Sequence, residues 1–240
     1  INADPEEIFF TSGGTEANNA WMSGRELDFV ITTPFEHRSV LEPIDCASEK
    51  LEMKILPDGR PDIKWVRGLL CNFNRSNIAF SVQWVNNETG EIIDMKSVDE
   101  FCDRRGILLH TDAVQAIGHI LVDVKKCKVD MLSMSGHKFG AMMGVGALYI
   151  RKGVGVAPLI LGGGQESGWR SGTENVPGIV SMGAAAEVVL EKLPQWLQKW
   201  SELRSIFLDL VGLHFSRNNI KWKINGGPNV VQNIISITVY

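Results

Sequence analysis

Apolar residues along the chain gather into short β-type runs separated by polar or helix-like stretches: "EEIFFTS", "DFVITT", "LEMKIL", "NIAFSVQWV", "ILLHTD", "DMLSMS" and "GALYIR". Strand-like runs alternating with helical ones predict an α/β protein, with a mostly parallel central sheet of about seven strands and helices on both faces. A strand covered on both faces is apolar almost throughout, as "IAFSVQWV" largely is. Ligands of such sheets bind beyond the carboxyl ends of the strands. The polar clusters of this sequence fall at those ends.

Toward the C-terminus the period changes. "GIVSMGAAAEVVLEKL" reads as a helix from Gly178, Pro194 is expected to interrupt it, and "WLQKWSELRSIFLDLVG" resumes it. Leu203, Ile206, Phe207 and Leu210 recur at helical spacing, which predicts an apolar face packed on the core. "NIKWKINGG" and "VQNIISITVY" then look like the start of another β-containing unit. The expected organisation is a large domain over residues 1–200, followed over 201–240 by a linking helix and the first part of a small α+β domain.

Composition narrows the class. The chain has 240 residues, 44% hydrophobic and 22% charged, as ordinary globular proteins do. A net charge of −4 offers no basic face, so no nucleic-acid partner is expected. The uncharged run 139–150 is too short to cross a bilayer and is broken by glycine, so no membrane partner is expected either. Cys46, Cys71, Cys102 and Cys127 are scattered without a C-x-x-C pair, which predicts reduced thiols and a cytoplasmic location, or an organelle matrix in a eukaryote. No signal peptide opens the chain, which starts at Ile1 and reads as a piece of a longer protein.

Five clusters carry possible chemistry. "FFTSGGTEANNAW" places Ser12-Gly13-Gly14-Thr15 between a strand and a helix, where backbone N–H groups and a hydroxyl suit an anion, or where a turn is simply made. "LLHTDAVQAIG" puts Asp112 at a strand end with Gln115 three residues on. Asp112 suits a helix cap, a metal shared with His110, or a carboxylate that keeps a pyridinium protonated. No further ligands complete a metal site. "VQWVNNETGE" ends a strand in Asn86, Asn87 and Glu88, a turn in its simplest reading, and "TTPFEHRSV" brings His37 to a similar end. In "SMSGHKFG", Ser135, Gly136 and His137 suit a phosphate, and Lys138 suits condensation with an aldehyde if its amine is left nucleophilic. Taken together along one sheet edge, these groups favour a Schiff base at Lys138 over a bland surface lysine.

At this point the sequence resembles the class V aminotransferase branch of pyridoxal-phosphate enzymes, and within it the cysteine desulfurases, with the selenocysteine lyases close behind. The resemblance runs over residues 6–237 through "TSGGTEANN", "EHRSV", "VNNETG", "HTDAVQAIG", "SGHK", "GVGALYIRKG" and "GGGQESGWRSGTENVPGI" in order. It implies pyridoxal 5'-phosphate as cofactor, joined to Lys138, with Gly14, Thr15, Ser135, Gly136 and His137 about the phosphate. It further implies Asp112 on the pyridine nitrogen, Gln115 and Asn87 on the phenolic oxygen, and His37 stacked on the ring. Lys138 and His37 are the implied proton carriers, and Thr173 is the implied reach to the neighbouring cofactor of a homodimer. The implied reaction converts L-cysteine to L-alanine and passes sulfur to an enzyme cysteine, for iron–sulfur clusters or another acceptor protein. Selenocysteine as substrate, or a non-catalytic cofactor-binding domain, are the alternatives.

The chain also departs from the family. The sulfur-accepting cysteine and the carboxylate-binding arginine are expected beyond the segment matching "NIISITVY", and an N-terminal arm before "FFTSGGTE". None of the four cysteines present matches the vacant role. Ala141, Met142 and Met143 stand where the family usually has Gly-Pro-Lys, which predicts a looser, less positive loop and weaker cofactor affinity.

Overall fold

The computed structural model describes residues 1–47, 49–56, 62–70 and 77–240, so Cys71 lies outside the described residues. Seven strands form the main sheet: β1 (Ile8–Thr11), β2 (Phe29–Thr32), β3 (Glu49–Glu52), β4 (Ile78–Ser81), β5 (Leu108–Asp112), β6 (Met131–Ser135) and β7 (Gly146–Ile150). Their order is β1-β7-β6-β5-β4-β2-β3. Pairings β2–β3, β2–β4, β4–β5 and β5–β6 are parallel, so the expected α/β fold with a mostly parallel sheet is borne out. The third strand lies slightly earlier than "LEMKIL", as a largely polar edge.

β7 runs antiparallel to β6 and to β1. Only residues 136–145 join β6 to β7, too few for a crossover helix, and the chain must double back. Gly146, the first residue of β7, permits a close contact there. A Cβ on it would stand 2.6 Å from both Gly13 Cα and Met134 O, so the turn after β1 rests directly on this backbone.

Strand residues alternate between two apolar layers. Phe29 and Ile31 of β2 and Ile78 and Phe80 of β4 belong to one core cluster, while Val30 and Ala79 belong to the other. Both layers are buried, which explains strands with so few polar positions. Helices α1 (Gly14–Ser23) and α2 (Arg38–Ala47) cover one face through Trp21, Met22, Val40 and Ile44. Helices α3 (Ile63–Leu70), α4 (Met95–Asp103) and α5 (Val176–Arg217) cover the other, where Val66, Val98, Phe101 and Met182 pack.

Polar core positions differ in how they are satisfied: Thr32 Oγ1, Thr111 Oγ1 and Trp21 Nε1 find no partner among the described residues, whereas His110 is held on both sides. His110 is fully buried, stacks on Trp21 at 4.2 Å between ring centres, and meets Ser81 Oγ at 2.8 Å and Ser133 Oγ at 3.0 Å. Burial holds its imidazole well below the ordinary range, hence neutral. It is therefore a core tie across β4, β5 and β6, committed on both ring nitrogens.

Two C-terminal expectations are corrected. α5 runs unbroken through Pro194 for 42 residues. The missing N–H of Pro194 frees the carbonyl of Leu190, a residue 72% exposed, where water can serve it. The expected core face of the second half is also overturned. Met182, Ala185, Val189 and Leu193 are buried, but farther on the helix runs past the sheet, and Leu203, Ile206, Phe207 and Leu210 are 45% to 62% exposed. After α5, β8 (Trp222–Ile224) and β9 (Ile237–Val239) pair antiparallel. Their connection docks on the large sheet side, with Val231 N–H on Gly90 O at 2.8 Å and Ile92 N–H on Asn229 O at 2.8 Å. The expected 200/201 boundary falls inside α5. Among the described residues, no helix is long and apolar enough to cross a membrane.

Candidate active site

The carboxyl ends of the strands open into one cavity of about 720 Å³. After β1, the Ser12–Gly13 turn leads into α1, whose first N–H groups have no partner within the helix. Gly14 sits against the β5 side: a Cβ there would come within 2.7 Å of Val114 Cγ2. Glycine thus lets the positive helix end approach the cavity floor. Thr15 adds its hydroxyl, and Ser135 and His137 face the same end, with Ser135 Oγ 3.0 Å from His137 Nδ1.

β5 delivers Asp112, 7% exposed, to the cavity. Its Oδ1 accepts from Val114 N–H at 2.9 Å and its Oδ2 from Asn18 Nδ2 at 2.8 Å. Burial pushes this carboxyl up, while those two donors and the nearby His37 and Lys138 pull it back. A cationic ring nitrogen would complement it.

The loop after β2 carries His37, and two amides fasten that loop to the one after β4. Gln83 Nε2 donates to Phe35 O at 2.7 Å and Asn86 Nδ2 to the same oxygen at 3.4 Å. Asn86 also organises its own turn, its Oδ1 accepting from Glu88 N–H at 2.9 Å and Thr89 N–H at 2.8 Å. That turn leaves Asn87 on the cavity wall. Gln115 follows β5, and Lys138, in the 3-10 turn Gly136–Phe139 after β6, completes the wall.

The structure brings together nine of the residues expected from sequence: Gly14, Thr15, His37, Asn87, Asp112, Gln115, Ser135, His137 and Lys138. Two lie elsewhere. Gly136 is buried beneath the turn, where a Cβ would meet Ala141 and Val145 at 3.0 Å. Thr173 is exposed and away from this cavity. The divergent loop borders the site through Met143 and Gly144, held by Asn175 Nδ2 on Gly144 O at 3.1 Å and by Met142 N–H on Ser181 Oγ at 3.1 Å.

Sequence patterning over residues 1–204 matches the family described as Aminotransferase class-V. The chain belongs to the class V aminotransferase family. It is 43% identical over 211 residues to the cysteine desulfurase IscS of Clostridium botulinum, covering 85% of this chain and 53% of that protein. It is 46% identical over 203 residues to the cysteine desulfurase of Bradyrhizobium diazoefficiens, covering 80% and 50%. A solved NifS-like protein superposes with a TM-score of 0.88 at 34% identity, over 98% of this chain and 66% of that one. The chain spans about half the length of the curated relatives it matches. The resemblance read from the ordered motifs is thereby borne out at family level.

The class V site also contains residues that the sequence did not single out. Asn18, Ser39 and Gln83 line the cavity. The signal for Asn18 was available: it lies four residues after Gly14, on the helix face that buries Trp21, where a polar side chain calls for partners. Pyridoxal phosphate fits the donor set of this class V cavity. A helix N-terminus with a glycine cradle suits its phosphate, buried Asp112 its ring nitrogen, and Lys138 its aldehyde. Among the described cysteines none lines the cavity: Cys46 is exposed, and burial pushes the Cys127 thiol up to about 12 and the Cys102 thiol higher still.

Proposed function

We propose that this chain provides the pyridoxal-phosphate site of a homodimeric cysteine desulfurase. The observation that carries this is Lys138 and Asp112 on one cavity with the α1 N-terminus, in a chain 43% identical to a protein of that activity. When bound, the cofactor supplies an aldehyde and a cationic ring that accepts electrons from an amino acid's Cα. Gly14, Thr15, Ser135 and His137 would hold the phosphate, Asp112 would keep the ring nitrogen protonated, Asn87 and Gln115 would meet the phenolic oxygen, and His37 would contact the ring. Lys138 would supply the amine that holds the cofactor and would stand ready to move a proton at Cα.

The net reaction takes L-cysteine to L-alanine, with the sulfur leaving on an acceptor thiolate as a persulfide that feeds iron–sulfur or other sulfur transfer. That thiolate belongs to a part of the protein other than the described residues. Thr173 reaches the cofactor of the second subunit, the enzyme works in the cytoplasm or an organelle matrix, and residues 201–240 begin a second, smaller domain. Support for the last point comes from β8 and β9, which form a sheet of their own.

Reconstitution tests the reading. Saturating the protein with pyridoxal phosphate should produce an absorbance band near the visible edge that Lys138→Ala abolishes. Absence of any band in the saturated wild-type protein refutes it. Alanine release from cysteine and from selenocysteine, measured on the full-length protein, decides the substrate.

A further inference from the structure

Asn18 lies within α1, 1% exposed, and one side-chain nitrogen serves two acceptors. Its two N–H bonds reach Asp112 Oδ2 at 2.8 Å and Ser39 Oγ at 2.9 Å. Ser39 Oγ lies 2.7 Å from His37 Nδ1, and Ser39 N–H donates to that same ring nitrogen at 3.1 Å. All four side chains line the cavity. A continuous chain of bonds thus joins the carboxylate to the imidazole.

The direction of that chain follows from charge. An asparagine amide is oriented by its partners, and turned over it would set Oδ1 against a carboxylate oxygen of Asp112, acceptor facing acceptor. Asp112, an acceptor-only carboxylate when ionised, then keeps Nδ2 toward itself. The same nitrogen donates to Ser39, whose hydroxyl hydrogen is free to turn to His37 Nδ1, the atom that also accepts from Ser39 N–H. With Nδ1 accepting, the neutral ring carries its proton on Nε2. Asn18 Oδ1 is itself buried without a donor among the described residues, so the amide forgoes one bond while keeping both N–H bonds.

We propose that Asn18 is a positioning residue that couples Asp112 to His37 through Ser39 and selects the Nε2–H tautomer of the imidazole. The purpose assigned to that tautomer rests on the proposed cofactor site. The bonds themselves do not. In the reverse arrangement, with the amide turned, Ser39 would donate to Asn18 Oδ1 and release its hold on the ring.

The test uses the cofactor-free chain. Ring ¹⁵N shifts of His37, assigned by their loss in His37→Gln, are recorded at a pH alkaline to the ring's titration. The wild-type protein should show the Nε2–H form dominant. Asn18→Asp, nearly isosteric, supplies acceptors that draw the Ser39 hydroxyl away, and Ser39→Ala deletes it. Each should lower the Nε2–H to Nδ1–H ratio about fivefold, the equilibrium equivalent of one hydrogen bond, while Ser39→Thr keeps it. A dominant Nδ1–H form in the wild type overturns the proposal whether or not the variants fold. So does an unchanged ratio in folded Asn18→Asp and Ser39→Ala. Failure of the Lys138 absorbance band with the tautomer preserved would sink the cofactor reading alone.

Discussion

Glu36, one residue before His37, shows how far the interior shapes a single group. It is 6% exposed, with Oε1 accepting from Thr33 Oγ1 at 2.6 Å. Burial pushes its carboxyl up to about 8, against the Thr33 hydroxyl and the Gln83 backbone, and the Asp112 charge pushes the same way. The folded chain therefore holds a proton that the unfolded chain has lost above its ordinary value of 4.5. Stability should fall as pH rises from there to about 8. Glu36→Gln should remove this slope and gain on the order of a few kcal/mol at pH 8, with little change at pH 4.5. Urea unfolding at both pH values measures it, and parallel profiles for the two proteins would refute it. At this scale the gathering of Lys138, Asp112 and His37 on one cavity was legible in the sequence because each falls at, or a few residues beyond, the carboxyl end of a strand. Asn18 and Ser39 were not, because their roles exist only once α1 lies across the end of β5, 94 positions away.

Elements were legible where one physical rule dominated. Runs apolar at both parities marked inner strands such as β2, β4 and β7, where both faces of the sheet are covered, but not the polar edge strand β3, which lies earlier than its run. Pro194 misled because local propensity was outweighed by a helix whose first half is anchored through Met182, Ala185, Val189 and Leu193. The β1–β7 contact was invisible, because a glycine at the start of a strand says nothing about which backbone it meets. Gly146→Ala should lower stability by about 1–3 kcal/mol, since both neighbours of the new methyl are main chain and neither can rotate away. On the proposed reading it should also weaken pyridoxal phosphate binding, because Gly13 leads into α1, whose start would hold the phosphate. A urea midpoint equal to wild type would show that the sheet yields there.

For the whole molecule, the segment bearing Thr173 is flanked by exposed apolar side chains, the surface that the proposed homodimer would bury. Leu161 is 81% exposed, Val180 64% and Val176 59%. If this is the homodimer face, Leu161→Glu with Val180→Glu should shift sedimentation from dimer to monomer. A wild-type monomer, or a variant of unchanged mass, would remove the face from consideration. The expectation of a dimer came from family resemblance alone, because exposure is a property of the folded surface. α5 adds a further consequence. From its cap at Asn175, which holds Gly144 beside the cavity, to Leu210 on the exposed stripe, the helix spans about 50 Å of axial rise. It acts as a ruler, fixing how far from Lys138 anything seated on that stripe must stand. One residue inserted along it would add about 1.5 Å and swing the stripe by about 100°. Length changes in α5 thus alter distance and azimuth together, and only insertions near whole turns preserve the facing.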